Sequence, residues 1–199
     1  MSRSRVIIYE KAGADPAVDS IVTERAGSRT TLLATDASTI VAAAVQAVDS
    51  GADQVELCGG LGTLWHAKVL DAVGDRVPVG AVMFGFESLA GVADDQARYG
   101  KEFLNEAFIY IQPGSDPAVD RTVRENEHAR SWFVAVPDAS AATAVAAQLV
   151  NGEGVQLLEL YGGFDPAAAA LVIAAIDAKA PVGIPSYGYL GAGGGRGSH

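Results

Sequence analysis

Positive charge is scarce in this chain. Only 14 Lys and Arg stand against 24 Asp and Glu, a formal net charge of −10. No cluster of basic residues with interleaved aromatics offsets that balance. Nucleic acid is therefore not an expected partner, because phosphate neutralisation supplies most of such affinity. Cysteine is nearly absent as well: Cys58 is alone, which excludes an intramolecular disulfide and suits a reducing cytoplasm. Long apolar runs are missing, and even Ala167 to Ala175 falls short of the length a bilayer demands, so no membrane partner is expected. The chain also lacks a basic start followed by an apolar stretch, and the expectation is a soluble, non-exported, cytoplasmic protein. Metal signals are thin. His66 and His128 are isolated, no H-E-x-x-H occurs, and no metal site is expected; a hard cation such as Mg²⁺ between Glu56 and Glu159 is the alternative.

What is present is a duplication. Gly13 to Asp19 (GADPAVD) returns as Gly114 to Asp120 (GSDPAVD), an offset of 101. Glu56-Leu57-Cys58-Gly59-Gly60 returns as Glu159-Leu160-Tyr161-Gly162-Gly163, and Pro78-Val79-Gly80 as Pro181-Val182-Gly183, both at an offset of 103. Two single-residue insertions align the halves, and a repeat this regular constrains architecture more than chemistry. The boundaries read as a first repeat over 1–86, a connecting helical segment over 87–106, a second repeat over 107–190, and a flexible, tag-like tail over 191–199.

Within each repeat, short apolar strands alternate with helical periodicity. The first repeat places strands at Val6–Tyr9, Thr31–Ala34, Gln54–Cys58 and Val79–Phe84, with helices after Asp15-Pro16, from Ser38 to Asp49 and from Thr63 to Val73. The second repeats that order, including a helix after Asp116-Pro117. Asp before Pro fits a helix start, and Asp15, Asp116 and Asp165 read as caps. Strand–helix alternation implies an α/β fold of two tandem βαβαβαβ repeats with parallel strands. The economical solution is a small (βα)8 barrel of two half-barrels. The alternative is two open parallel sheets packed as a pseudo-dimer.

The string Glu56-Leu57-Cys58-Gly59-Gly60-Leu61-Gly62, followed by Val77-Pro78-Val79-Gly80, resembles a prokaryotic family known only as a domain of unknown function. The resemblance spans 5–85 and, more weakly, 107–188. It implies single units of about half this length and brings no reaction. Tyr161 stands where that pattern has Cys, and Asp165 where Gly62 stands in the first repeat.

The third strand of each repeat carries the chemistry. Side chains alternate along a strand, so Val55 and Leu57 turn one way while Glu56 and Cys58 turn the other. An outer helical layer takes the apolar face, which sends Glu56 and Cys58, and likewise Glu159 and Tyr161, into the barrel. Inward carboxylates suit general acid–base work, since burial and a neighbouring like charge raise a pKa toward neutrality. The competing reading is structural: each Glu accepts backbone hydrogen bonds or pairs with a cation, for which Lys11 is a candidate. Cys58, before a Gly-Gly turn and a helix N-terminus, is a candidate nucleophile with His66 as its base, against the plainer role of a small buried apolar residue. Gly59, Gly60, Gly162 and Gly163 could present backbone N–H groups to an anionic ligand, with Tyr161 and Lys11 beside it. The glycines do not form G-x-G-x-x-G, and no cofactor is assigned. Trp65 and Trp132 read as packing. Two functions follow: an acid–base lyase or isomerase of a small polar metabolite, or a non-catalytic small-molecule binding or assembly protein with structural carboxylates. Self-association is compatible with either.

Overall fold

The computed structural model describes residues 3–187, so the tail over 191–199 lies outside the described residues. The first repeat runs β1 (Arg3–Glu10), α1 (Pro16–Asp19), β2 (Ile21–Arg25), β3 (Ser28–Thr35), α2 (Ile40–Asp49), β4 (Gln54–Leu57), α3 (Gly62–Val73) and β5 (Val79–Phe84). A connecting helix, α4 (Leu89–Arg98), leads to the second repeat. That repeat runs β6 (Leu104–Ile111), β7 (Arg121–Glu125), β8 (Ala129–Val136), α5 (Ala139–Gly152), β9 (Leu157–Tyr161), α6 (Pro166–Ala175) and β10 (Val182–Ser186).

All ten strands join one sheet in the order β2-β3-β1-β4-β5-β10-β9-β6-β8-β7, which reads the same for the two repeats from either end. Within each repeat the four core strands are parallel, as the strand–helix alternation predicts. The repeats meet through an antiparallel pair, β5 with β10, in which Ala81 lies opposite Ser186 and Phe84 opposite Gly183. The sheet curls until its distant parts touch. The Thr23 hydroxyl of β2 meets that of Tyr110 on β6 at 2.7 Å, and Arg25 at the end of β2 pairs with Asp120 at 2.5 Å.

The α/β class, the tandem repeats and a barrel-like sheet therefore match the sequence reading, while strand count, order and direction differ from a (βα)8 barrel. Eight parallel strands were expected in succession around the wall. Ten are present among the described residues, and their direction reverses at the junction, so the nearly closed sheet keeps the two-body arrangement of a pseudo-dimer. The two additional strands, β2 and β7, are hairpin partners of β3 and β8. The first hairpin turns through Ala26 and Gly27, both at positive φ (48° and 73°). Alanine seldom occupies that region, so the usual Asn-Gly or Asp-Gly signal is missing. The helix expected after Asp116-Pro117 is a turn instead, although Asp116 still accepts the Ala118 N–H at 2.9 Å.

The outer faces carry the helices. Val6, Ile8, Val55 and Leu57 are buried in a core with Ile40 and Ala44 of α2 and Val69 and Val73 of α3. Ile109, Val134, Leu158 and Leu160 do the same with α5 and α6. The opposite face lines the barrel, where Tyr9, Phe108, Phe133 and Tyr161 form an aromatic stack across the repeats, with ring centroids 4.8 to 6.2 Å apart. Such pairs add roughly 0.5–1.5 kcal/mol each beyond area burial. Among the described residues no helix is long and apolar enough to cross a membrane.

Candidate functional site

Glu56 on β4 and Glu159 on β9 both enter the barrel, and both are sealed there: Glu56 is 0% exposed and Glu159 4%. Their partners cross between the repeats. Glu56 accepts the Gly162 backbone N–H with both oxygens at 3.2 Å, and Glu159 accepts the Gly59 N–H at 2.9 Å. Each carboxylate thus occupies the glycine turn of the opposite half. The N–H groups of Gly59 and Gly162, read as donors to a ligand, serve the chain's own anions. A backbone amide aimed at a buried carboxylate offsets part of its desolvation, and a hydrogen bond to a charged group contributes about 1.5–3 kcal/mol.

The remaining partners differ. Glu56 accepts from the Tyr187 hydroxyl, which is itself met by the Gln54 amide, and lies 3.5 Å from Nε of Arg5. Burial raises the Glu56 pKa, while Arg5, Tyr187 and Gly162 oppose the rise. Glu159 accepts from Tyr161 and has Glu106 nearby in place of a cation. Burial lifts its pKa to about 7, against the pull of the Tyr161 and Gly59 hydrogen bonds and with a further push from Glu106. Three positions make the asymmetry: Arg5 on β1 corresponds to Glu106 on β6 at the offset of 101, and Cys58 and Phe84 correspond to Tyr161 and Tyr187 at the offset of 103. Glu106, whose own pKa burial also raises, accepts from the Ser131 hydroxyl at 2.5 Å.

Cys58 is buried, and burial, with the nearby Glu159 charge, drives its thiol far above the ordinary range. That is the reverse of activation. His66 on α3 hydrogen-bonds the Val79 carbonyl at 3.0 Å. Lys11 pairs with Asp19, the position equivalent to Asp120, and not with either glutamate. Tyr161 stacks on Phe108 within the barrel. Gly60 has open space around it and Gly163 adopts a positive φ of 98°. The Asp15 and Asp165 caps are in place, accepting from Ala17 and Ala168. Among the described residues no group of three or more His, Cys, Asp or Glu side chains is arranged to hold a metal ion.

An open basin lies on the other side of Arg5. It measures about 540 Å³ and is lined by Arg3, Arg5 and Arg29, by Ser28, Thr30 and Gln54, and by Ile111 to Pro113 with Gly162 from the second repeat. Its seam is polar: Arg5 donates to the Ile111 carbonyl at 3.1 Å, Thr30 to Gln112 at 2.6 Å, and Gln112 to the Ser28 carbonyl at 2.9 Å. Arg5 was legible on the inward register of β1, two residues before Ile7 and four before Tyr9. Arg29 and Gln112 carried no sequence signal, because the seam joins segments more than 80 residues apart.

The sequence profile of a family of unknown function, DUF6506, matches residues 4–96 and again residues 104–189. The chain belongs to that family. The two matches fall on the two halves of the sheet, so the DUF6506 unit is present here as a tandem pair. No curated protein and no solved structure matched the chain.

Proposed function

We propose that this tandem DUF6506 protein binds a small molecule without transforming it, and that Glu56 and Glu159 are structural. The observation that carries this reading is the reciprocal engagement of the two carboxylates with Gly162 and Gly59 beneath packed side chains. An acid–base catalyst needs its carboxyl within hydrogen-bond reach of a substrate proton. Here those lone pairs are committed to backbone amides and tyrosines. The open space lies outside Arg5, on the basin side, and offers arginine and amide groups suited to holding a polar ligand.

The acid–base lyase or isomerase reading draws on one feature, the Glu159 pKa near 7, which suits proton transfer at neutral pH. Native mass spectrometry of the purified chain and of Glu159→Gln separates the two readings. A binding protein retains the same co-purifying mass in both. A mass that accumulates on Glu159→Gln and is absent from the unsubstituted chain identifies a trapped substrate and sinks the non-catalytic proposal.

A further inference from the structure

The barrel has two pseudo-equivalent ends, and one equivalent inward position carries opposite charge in the two. At one end the inward register of β1 brings Arg5 toward the basin, with Arg3 on the same strand and Arg29 on β3 beside it. At the other end the equivalent of Arg5 is Glu106, and the Asp95 carboxyl of α4 is close enough to raise its pKa further. In a chain of net charge −10, three guanidinium groups around one cavity set a local field contrary to the whole.

Arg5 is the informative member. Its side chain is 15% exposed, it donates to the Ile111 carbonyl, and its buried Nε has no hydrogen-bond partner, lying 3.5 Å from Glu56 outside bonding geometry. A buried guanidinium N–H left unmatched is costly unless something accepts from it. Arg3 and Arg29 are exposed at the rim and make no ion pair among the described residues. The one acid of the lining, Asp53, accepts the Ser4 backbone N–H at 2.8 Å. With Arg5 set against Glu56 and Asp53 against one rim arginine, one positive charge remains. The volume, about 540 Å³, lies in the range of small-molecule sites.

We infer that the basin binds a small polar organic anion, its carboxylate or phosphate head seated among Arg3, Arg5 and Arg29 and its hydroxyl-bearing body against Ser28 and Gln54. This rests on the binding reading above and supplies its ligand class. Arginine suits the task because its planar fork matches both oxyanions. The single head group follows from the net charge of the lining, and the hydroxylated body from the hydroxyl and amide groups of Ser28 and Gln54 on walls that carry no aromatic ring.

The test is an NMR titration of the full chain, following backbone amides and arginine side-chain N–H signals. The probes are gluconate, glycerol 3-phosphate and inorganic phosphate at matched ionic strength, with glycerol as the uncharged control. Saturable shifts at Ser28 to Thr30, Gln112 and the arginine side chains are expected with gluconate, glycerol 3-phosphate or both, and which of them saturates assigns the head group. Arg29→Gln and Arg3→Gln, at exposed positions that leave the Arg5 contacts in place, should each weaken binding about tenfold, and Arg76→Gln, remote from the basin, should not. The inference fails if neither organic anion saturates, if glycerol does as well as they do, or if both rim variants bind unchanged. Conversion of gluconate or glycerol 3-phosphate during the titration would overturn the non-catalytic reading while leaving the site in place.

Discussion

Glu159 lies beneath Gly59, accepting its backbone N–H at 2.9 Å, while the equivalent Glu56 lies beneath Gly162 in the other repeat. The exchange ties β4 and β9, one from each half, together at the centre of the barrel. It also separates two carboxylates that sequence alone makes equivalent. Glu56 has Arg5 beside it, and Glu159 has Glu106 in the corresponding place.

Opposite responses to the same substitution follow. The folded pKa of Glu159, about 7, is above its unfolded value near 4.5, so the native state holds this proton more firmly than the unfolded chain. Stability is then greatest below about pH 4.5 and falls as pH rises toward 7, by at most about 3 kcal/mol for this group alone. Glu159→Gln keeps an acceptor for Gly59 and offers an N–H to the Tyr161 oxygen, without the charge. Its melting temperature should exceed that of the unsubstituted chain at pH 8 and match it at pH 5. Glu56→Gln strands the Arg5 guanidinium and should melt lower at pH 8. Thermal denaturation at the two pH values checks both, and a destabilised Glu159→Gln at pH 8 would refute the assignment.

The glycine turns give a graded series. A Cβ at Gly162 would lie 2.7 Å from the Arg5 guanidinium and 2.9 Å from the Ile111 nitrogen, at a φ of 92°. Gly162→Ala should cost roughly 3 kcal/mol or more through strain and overpacking together. At Gly59 the added carbon would meet Glu159 Oε1 at 2.7 Å and Phe84 at 2.8 Å, with no backbone strain. Gly59→Ala should therefore cost less, about 1–3 kcal/mol. Gly60→Ala meets nothing within 4 Å and should be close to neutral. Urea denaturation of the three variants would contradict this account if Gly60→Ala proved the most damaging.

Much of this arrangement was legible from local pattern. The period-two register of β4 and β9 puts both glutamates inside, and the repeated Asp-Pro pairs place caps at Asp15 and Asp165. What local pattern does not carry is the partner. The backbone donors to Glu56 and Glu159 come from residues 106 and 100 positions away, across a junction formed by β5 and β10. Antiparallel pairing there leaves no mark, because Val79 to Phe84 and Val182 to Ser186 show the same short apolar run that a parallel pair would. The β2 and β7 hairpins were hidden for a different reason: Ala26-Gly27 and the Asn126 loop lack the customary turn dipeptides. Asp116-Pro117 shows the reverse failure, a helix-start signal beside a segment that stops at a turn.

Gln112 offers a test of the seam between the repeats. It is 1% exposed, accepts from the Thr30 hydroxyl, and donates to the Ser28 and Arg25 carbonyls. Lys11 is its equivalent in the first repeat. Gln112→Ala leaves a buried hydroxyl and two carbonyls unmatched, and should cost about 2–4 kcal/mol. Gln112→Glu brings a charge beside Thr30 and the Ser28 carbonyl and should also destabilise, more at pH 8 than at pH 5. Urea denaturation checks both, and variants as stable as the unsubstituted chain at pH 8 and pH 5 would show that the seam contributes little.

Cys58 provides the last test, because two roles for it diverge in one assay. A nucleophile needs a thiolate and an approach path. Cys58 has neither: it is 7% exposed, and burial together with the Glu159 charge holds the proton on sulfur. Ellman's reagent at pH 8 should therefore leave the native chain unmodified over an hour and react with one thiol per chain once urea has unfolded it. Cys58→Ala should cost stability, on the order of 1 kcal/mol for the lost packing, and leave anion binding at the Arg3–Arg29 basin unchanged. Native labelling within minutes, or loss of binding in a folded Cys58→Ala variant, would place the thiol in a site.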